Sequence, residues 1–275
     1  MPSWVQDFFS PNGFFSPGSV IWNACMRATY AMLGKSPQDF SSSAWSDTVA
    51  NLYPWFISIG IVLLNLFCLT GFIRQASNLR ENVTTEMWVE LFIKVLIANT
   101  VMVNGISLMS DMFSAASQAS SYIVGNQPPQ IFSNDVSLTV LILHLVIGIV
   151  YFIAASICGF MIMLEVFARF MQIYLLMATA PIALSTWAGG RGFEDTAYAW
   201  IKSFLTNTFQ IVVIALILRI GGKMIEGFTF MDNASLFDAI FGGAGDVFKS
   251  FVTMCFMATA IKGSDGFLKR AFNLR

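Results

Sequence analysis

Charge is what this sequence has least of. Only 11% of its 275 residues are Asp, Glu, Lys or Arg, while 56% are hydrophobic. Soluble domains carry about a quarter charged residues. So little ionic surface excludes an ordinary water-soluble globule of this size and points to helices whose outer faces meet hydrocarbon. A basic excess is also missing. Fifteen Lys+Arg stand against 16 Asp+Glu, a formal net charge of −1, which removes the usual electrostatic basis for nucleic-acid binding as the main interaction. The single histidine, His144, excludes any metal centre or triad that needs several imidazoles. Cys25, Cys68, Cys158 and Cys255 lie far apart with no CxxC spacing. They read as small buried side chains rather than ligands or disulfide partners. The N-terminus has no positive n-region and no small-residue cleavage site, so no cleaved signal peptide is expected.

What is present is apolar mass, including 27 Phe and 15 Met, organised in long runs. Residues 1–17 hold Pro2, Pro11, Asn12-Gly13 and Pro17 and read as a loop. Gly18 to Leu33 reads as an amphipathic helix with Val20, Ile21, Ala24, Ala28 and Ala31 at helical spacing. It either lies on a membrane surface or packs on the protein's own core. Ser41 to Asp47 reads as a polar linker. Leu52 to Ile73 then gives 22 residues without a formal charge, enough at about 1.5 Å per residue to cross a hydrocarbon core of about 30 Å.

Arg74 to Glu86 reads as a charged loop, and Met87 to Met109 as a second span. Ser110 to Asp135 reads as a loop without Lys or Arg. Val136 to Trp187 holds 52 residues with only two formal charges, Glu165 and Arg169. As one helix it would far exceed the bilayer, so it divides into a span over 136–163 and a segment over 171–187. That segment either crosses fully or is re-entrant, broken near Pro181 and Gly189-Gly190. Tyr198 to Ile220 and the short run Val247 to Ile261 complete the set. Domain boundaries follow: 1–51 an extracytoplasmic loop and helix, 52–261 a transmembrane helical domain, and 262–275 a basic cytoplasmic tail.

Loops rich in Lys and Arg face the cytoplasm. The basic tail belongs inside and the 110–135 loop outside. Both hold if 171–187 is re-entrant. The expected architecture is therefore all-α and polytopic: about five spans plus a re-entrant or broken helix near 171–187, N-terminus outside and C-terminus cytoplasmic.

Polar groups within the spans are the candidate functional residues, because a charge at bilayer depth costs about 2.5 kcal/mol or more. Glu90, Lys94 and Asn104 fall within an arc of about 80° on span two. Lys202, Ser203, Thr206, Asn207 and Gln210 fall within an arc of about 140° on the span after 198. Each set suits the lining of a water-filled route or polar contact between subunits. For Glu90 and Lys94 a local helix salt bridge is the alternative. Glu165 and Arg169 form an i,i+4 set expected as an ion pair at a helix end. His144 reads as a packed neutral side chain. No pattern for hydrolysis, hydride transfer or phosphoryl transfer stands out, and Gly242, Gly243 and Gly245 are not followed by GK[ST].

One stretch resembles a known family. Ala178-Thr179-Ala180-Pro181-Ile182-Ala183-Leu184, then Gly189-Gly190, then Trp200-Ile201-Lys202-Ser203-Phe204 is similar to the core of the TrbL family. These are polytopic inner-membrane subunits of conjugative type IV secretion systems. The resemblance covers about 50 residues between Met171 and Ile220. Ala180, Pro181, Gly189 and Gly190 carry the family-like break. It implies a scaffold and channel subunit with no enzymatic activity and no cofactor. It also implies partners: membrane lipid, other secretion subunits, further copies of itself, and the transferred single-stranded DNA–protein complex. A small-molecule permease or channel unrelated to conjugation is the alternative. An intramembrane enzyme is a weaker one, since His144 stands alone.

Overall fold

The computed structural model describes residues 13–77, 85–125, 141–190, 192–226 and 245–271. The expectations for 1–12, for 78–84 within the charged loop, for 126–140, for Gly242 and Gly243 and for the last four residues lie outside the described residues, as does the His144 side chain. Among the described residues every regular element is helical: α1 (Ser16–Leu33), α2 (Pro37–Phe40), α3 (Asn51–Ser77), α4 (Thr85–Val124), α5 (Leu141–Ser185), α6 (Glu194–Glu226) and α7 (Gly245–Ala271). Four helical stretches are long and apolar enough to cross a membrane: Ser42–Arg74, Trp88–Val124, Leu145–Gly189 and Glu194–Met224. The protein is thus built as a multi-pass helical membrane protein. The fifth predicted span, 247–261, lies in α7, which is not among these four; only twelve residues separate Lys249 from Lys262.

The chain divides into two compact units. One comprises residues 1–34, 119–167 and 211–266, the other 35–118, 168–210 and 267–275. In the first unit α1 settles the choice left open by its sequence: it packs on its own protein. Its buried stripe is Gly18, Trp22, Cys25, Met26, Thr29 and Leu33, one helical face at i, i+4, i+7 spacing. The predicted stripe is displaced, and Val20 is exposed. Glycines bring α1 and the chain before it close to α5. A Cβ at Gly18 would meet the Tyr151 ring at 2.7 Å, and one at Gly148 would meet the Phe14 carbonyl at 2.8 Å.

Helix boundaries correct several sequence expectations. Ser41–Asp47 is not a loose linker. The Ser41 side chain accepts from the Ala44 N–H and caps a short turn, Ser42–Ala44. A π-helical turn, Trp45–Ala50, follows and leads directly into α3. Pro54 therefore lies inside a continuous helical run, and a widened turn next to a proline is a recognised way to accommodate it. The expected loop from Ser110 is helical as far as Val124. Ser110, Phe113, Ala116, Ser117, Ser120 and Val124 are buried there, a helical stripe that composition in Ser, Ala and Gln had hidden. The described part of the basic tail, 262–271, continues α7.

The largest correction concerns 136–187. Residues 141–185 form one helix, about 67 Å long at 1.5 Å per residue. The segment 171–187 is not a separate re-entrant piece. Nothing between 163 and 171 breaks a helix, and Pro181 sits inside the last turns. The break comes later, as a 3-10 turn over Thr186–Gly189, followed by Gly190 and Gly192 at φ values of +73° and +98°. Only glycine adopts such values without strain. One long crossing and one short crossing plus a re-entrant segment place the following chain on the same side, so the predicted sidedness does not depend on which occurs.

Candidate functional site

The site is built around the α5–α6 connection in the second unit. An internal proline removes one helical hydrogen bond and costs about 3 kcal/mol in an isolated helix. Here side-chain hydroxyls bond the carbonyls around it. Thr179 Oγ1 donates to the Leu175 carbonyl at 2.8 Å, Ser185 Oγ to that of Ile182 at 2.6 Å, and Thr186 Oγ1 to that of Ala183 at 2.7 Å. The carbonyl that loses its donor at Pro181 is that of Met177, four residues back; the Ser185 and Thr186 hydroxyls instead bond carbonyls of the last turn before the 3-10 break.

α3 then docks onto the break through two glycines. A Cβ at Gly60 would stand 2.8 Å from the Pro181 carbonyl oxygen, and one at Gly71 would stand 2.8 Å from that of Ala188. Eleven residues is three helical turns, so both glycines lie on one face of α3. The side-chain-free face lets backbone meet backbone, as at close transmembrane crossings. The spacing Gly60–Gly71 was the available sequence signal, and the sequence reading missed it. Of the family-like break residues, Ala180, Pro181 and Gly189 are buried and Gly190 half-buried.

Aromatic and charged groups gather where α5 ends and α6 begins. The Arg74 guanidinium lies 5.3 Å from the Phe193 ring centroid. Phe67 lies 5.0 Å from the same ring. Phe72 and Trp88 approach to 4.6 Å, and Trp187 and Tyr198 to 6.0 Å. Trp and Tyr concentrate at bilayer interfaces. Lys94 sits in this cluster. Its ammonium is 3.0 Å from Glu90 and donates to Glu194 Oε1 at 2.8 Å. The i,i+4 partner was legible in sequence. Glu194, a hundred residues away in the first turn of α6, was not. The Glu90 side chain is 61% exposed, against 28% for Lys94 and 20% for Glu194. The buried half of this three-charge set is therefore the inter-helix one. A carboxylate in the first turn of α6 is also favoured by the helix dipole.

The polar face of α6 is partly enclosed. Thr206 and Gln210 are buried, Ser203 and Asn207 half-buried, and Lys202 exposed. Ser203 Oγ donates to the Ala199 carbonyl, Thr206 Oγ1 to that of Lys202, and Asn207 Nδ2 to that of Ser203. These donors turn back into their own helix, which lets them sit at depth. The Asn207 carbonyl oxygen is different: it accepts from Arg169 Nη1 at 3.2 Å, which also donates to Gln172 Oε1 at 2.7 Å. Arg169 is buried. It and Glu165 stand in the middle of α5 rather than at a helix end, correcting that expectation. Asn104 lies exposed on α4, its Nδ2 donating to the Thr100 carbonyl at 3.1 Å. The sequence thus identified Arg169 and Asn207 separately, and the fold joined them.

All four cysteines are free, with Cys25 and Cys158 buried. Burial pushes the Cys25 thiol up, which keeps it protonated and unreactive near neutral pH.

No family model, curated protein or solved structure matches this chain.

Proposed function

We propose that this protein is a structural, channel-forming subunit of a conjugative type IV secretion system in a cytoplasmic membrane. One observation carries the reading. The segment that resembles the TrbL core, 178–190 with 200–204, is where α3 is fixed by backbone contacts at Gly60 and Gly71. The same connection is tied to α4 through Lys94 and Glu194. A segment held this firmly suits a scaffold on which other subunits assemble. In this reading α3, α4, α5, α6 and α7 make five crossings, the N-terminus is outside and the C-terminus cytoplasmic. The partners are lipid, other secretion subunits and further copies of the chain. The transferred single-stranded DNA–protein complex passes through the assembly. No catalysis and no cofactor enter.

The test is an in-frame deletion in the native host, complemented by the wild-type chain. Transfer of a mobilisable plasmid falls to the level of a strain without the secretion ATPases, and complementation restores it. Unchanged transfer in the deletion strain overturns the reading.

The second reading, a small-molecule permease, is favoured by one feature: a buried guanidinium, Arg169, held by the neutral amides of Gln172 and Asn207. Buried cations in membrane helices often mark substrate paths. Substrate uptake by the purified protein in liposomes, lost in Arg169→Gln, distinguishes it.

A further inference from the structure

Three of the four cysteines belong to the first unit: Cys25 on α1, Cys158 on α5 and Cys255 on α7. Cys158 and Cys255 are far apart in sequence, so no spacing marks them as a pair. The fold nevertheless brings their thiols within hydrogen-bond reach of each other. A second contact between the same two helices holds this approach: the Ser250 side chain lies beside that of Tyr151. Tyr151 precedes Cys158 by two helical turns, and Ser250 precedes Cys255 in the same direction, so both contacts lie along one seam.

The two thiols are not equally enclosed. Cys158 is buried, whereas Cys255 is half-buried and is followed by exposed Phe256. Cys25 is close by but differently placed. Its Sγ would stand 3.3 Å from a Cβ at Gly159, the position after Cys158 and about 100° round α5 from it. Among the described residues no three His, Cys, Asp or Glu side chains gather closely enough to hold a metal ion. Two facing thiols without a third donor suit exchange between dithiol and disulfide rather than metal binding.

We propose that Cys158 and Cys255 are an oxidisable pair that a peroxide converts to a reversible disulfide, stapling α5 to α7. The step balances with hydrogen peroxide as the oxidant. Cys255, the more accessible sulfur, attacks one peroxide oxygen. The O–O bond breaks, a sulfenic acid forms on Cys255, and the other oxygen leaves as water with the thiol proton. The Cys158 sulfur then attacks the Cys255 sulfur. The S–O bond breaks, the S–S bond forms, and the departing oxygen takes the Cys158 proton as a second water. The two thiols lose two electrons, and the peroxide gains them. A disulfide holds its sulfurs about 2 Å apart, so thiols already in contact need only a small shift of one side chain. Because Cys158 is held beside the sulfenic acid, the second step is intramolecular and outruns further oxidation.

The inference concerns a single chain and does not depend on the secretion reading. The full chain in lipid nanodiscs is treated with hydrogen peroxide and quenched with catalase. It is then unfolded, alkylated with N-ethylmaleimide, digested and mapped by mass spectrometry. Alkylation is expected to fall from all four cysteines to Cys25 and Cys68 alone, with Cys158 and Cys255 recovered as one bridged peptide pair. Dithiothreitol restores alkylation at all four. Cys25→Ser retains the bridge. The wild-type map needs no substitution, so it decides even where a variant fails to fold. Four alkylated cysteines after peroxide overturn the inference. So does a bridge through Cys25 or Cys68, a bridge between two chains, or a Cys255 sulfinic acid with Cys158 still alkylated.

Discussion

Gly60 of α3 and Pro181 of α5 meet backbone to backbone: a methyl group at Gly60 would lie 2.8 Å from the Pro181 carbonyl oxygen. A backbone atom cannot swing aside as a flexible side chain can. Gly60→Ala is expected to lower stability by about 1–3 kcal/mol, the usual cost of forcing extra volume into a packed contact. Gly71→Ala should behave alike against the Ala188 carbonyl. Gly263→Ala in α7 has nothing within 4 Å of the new methyl and should raise stability by up to about 1 kcal/mol. Thermal unfolding in detergent measures all three. Equal midpoints would mean that the close contact is not structural.

Lys94 serves two carboxylates unequally. A double-mutant cycle with Lys94→Met and Glu194→Gln is expected to give a coupling of about 1 kcal/mol, because both side chains are mostly enclosed. The Glu90 cycle should give about 0.3–0.5 kcal/mol, as exposed i,i+4 pairs do. Raising the salt concentration should erode the Glu90 coupling more. A larger coupling to Glu90 would contradict the structure.

Asn207 is expected to matter through Arg169. Asn207→Leu removes an acceptor from a buried guanidinium and should cost about 1.5–3 kcal/mol, the range for hydrogen bonds to charged groups. Gln172→Leu should act similarly, and the two losses should fall short of additivity because they share one nitrogen donor. Lys202→Ala, on the exposed edge of the same stripe, should stay within about 0.5 kcal/mol. Unfolding midpoints decide, and an Asn207→Leu protein as stable as wild type would remove the pair from the argument.

Sidedness follows from contacts at one end of the second unit. The Phe72–Trp88 approach, the Arg74–Phe193 approach and the Lys94–Glu194 bond bring the end of α3 and the starts of α4 and α6 together. Ser77→Cys and Asp195→Cys are therefore expected to react with an impermeant thiol reagent from the same side of the membrane. If α7 makes the fifth crossing, as proposed, reporter fusions after Ser120 and after Arg275 report opposite sides, whereas the four candidate spans alone would put them on the same side. Labelling of Ser77→Cys and Asp195→Cys from opposite faces would rule out the arrangement of α3, α4 and α6 described above.

Which parts of this protein could be read in advance depends on the range of the interaction concerned. The run 52–73 declared a crossing because solvation acts on each residue separately. The i,i+4 relation of Glu90 and Lys94 is equally local. The end of α4 was missed because Ser, Ala and Gln suit both a loop and a buried stripe, and only packing at Phe113 and Val124 selects between them. The length of α5 was missed because one helix over the run 136–187 would far exceed the bilayer, so the run was divided between 163 and 171, where the helix is in fact continuous. It runs on because nothing between 163 and 171 breaks a helix, and past Pro181 the Ser185 and Thr186 hydroxyls bond carbonyls of its last turn.

The sequence by itself determined that this is a multi-pass helical membrane protein, since scarcity of charge and the length of the apolar runs are properties of single segments in a given solvent. Tertiary structure alone decided that Lys94 meets Glu194, that Arg169 meets Asn207, and that Gly60 and Gly71 seat α3 on the α5 break. Each of those depends on two helices crossing at one particular depth and rotation, and no local pattern in either helix specifies that crossing.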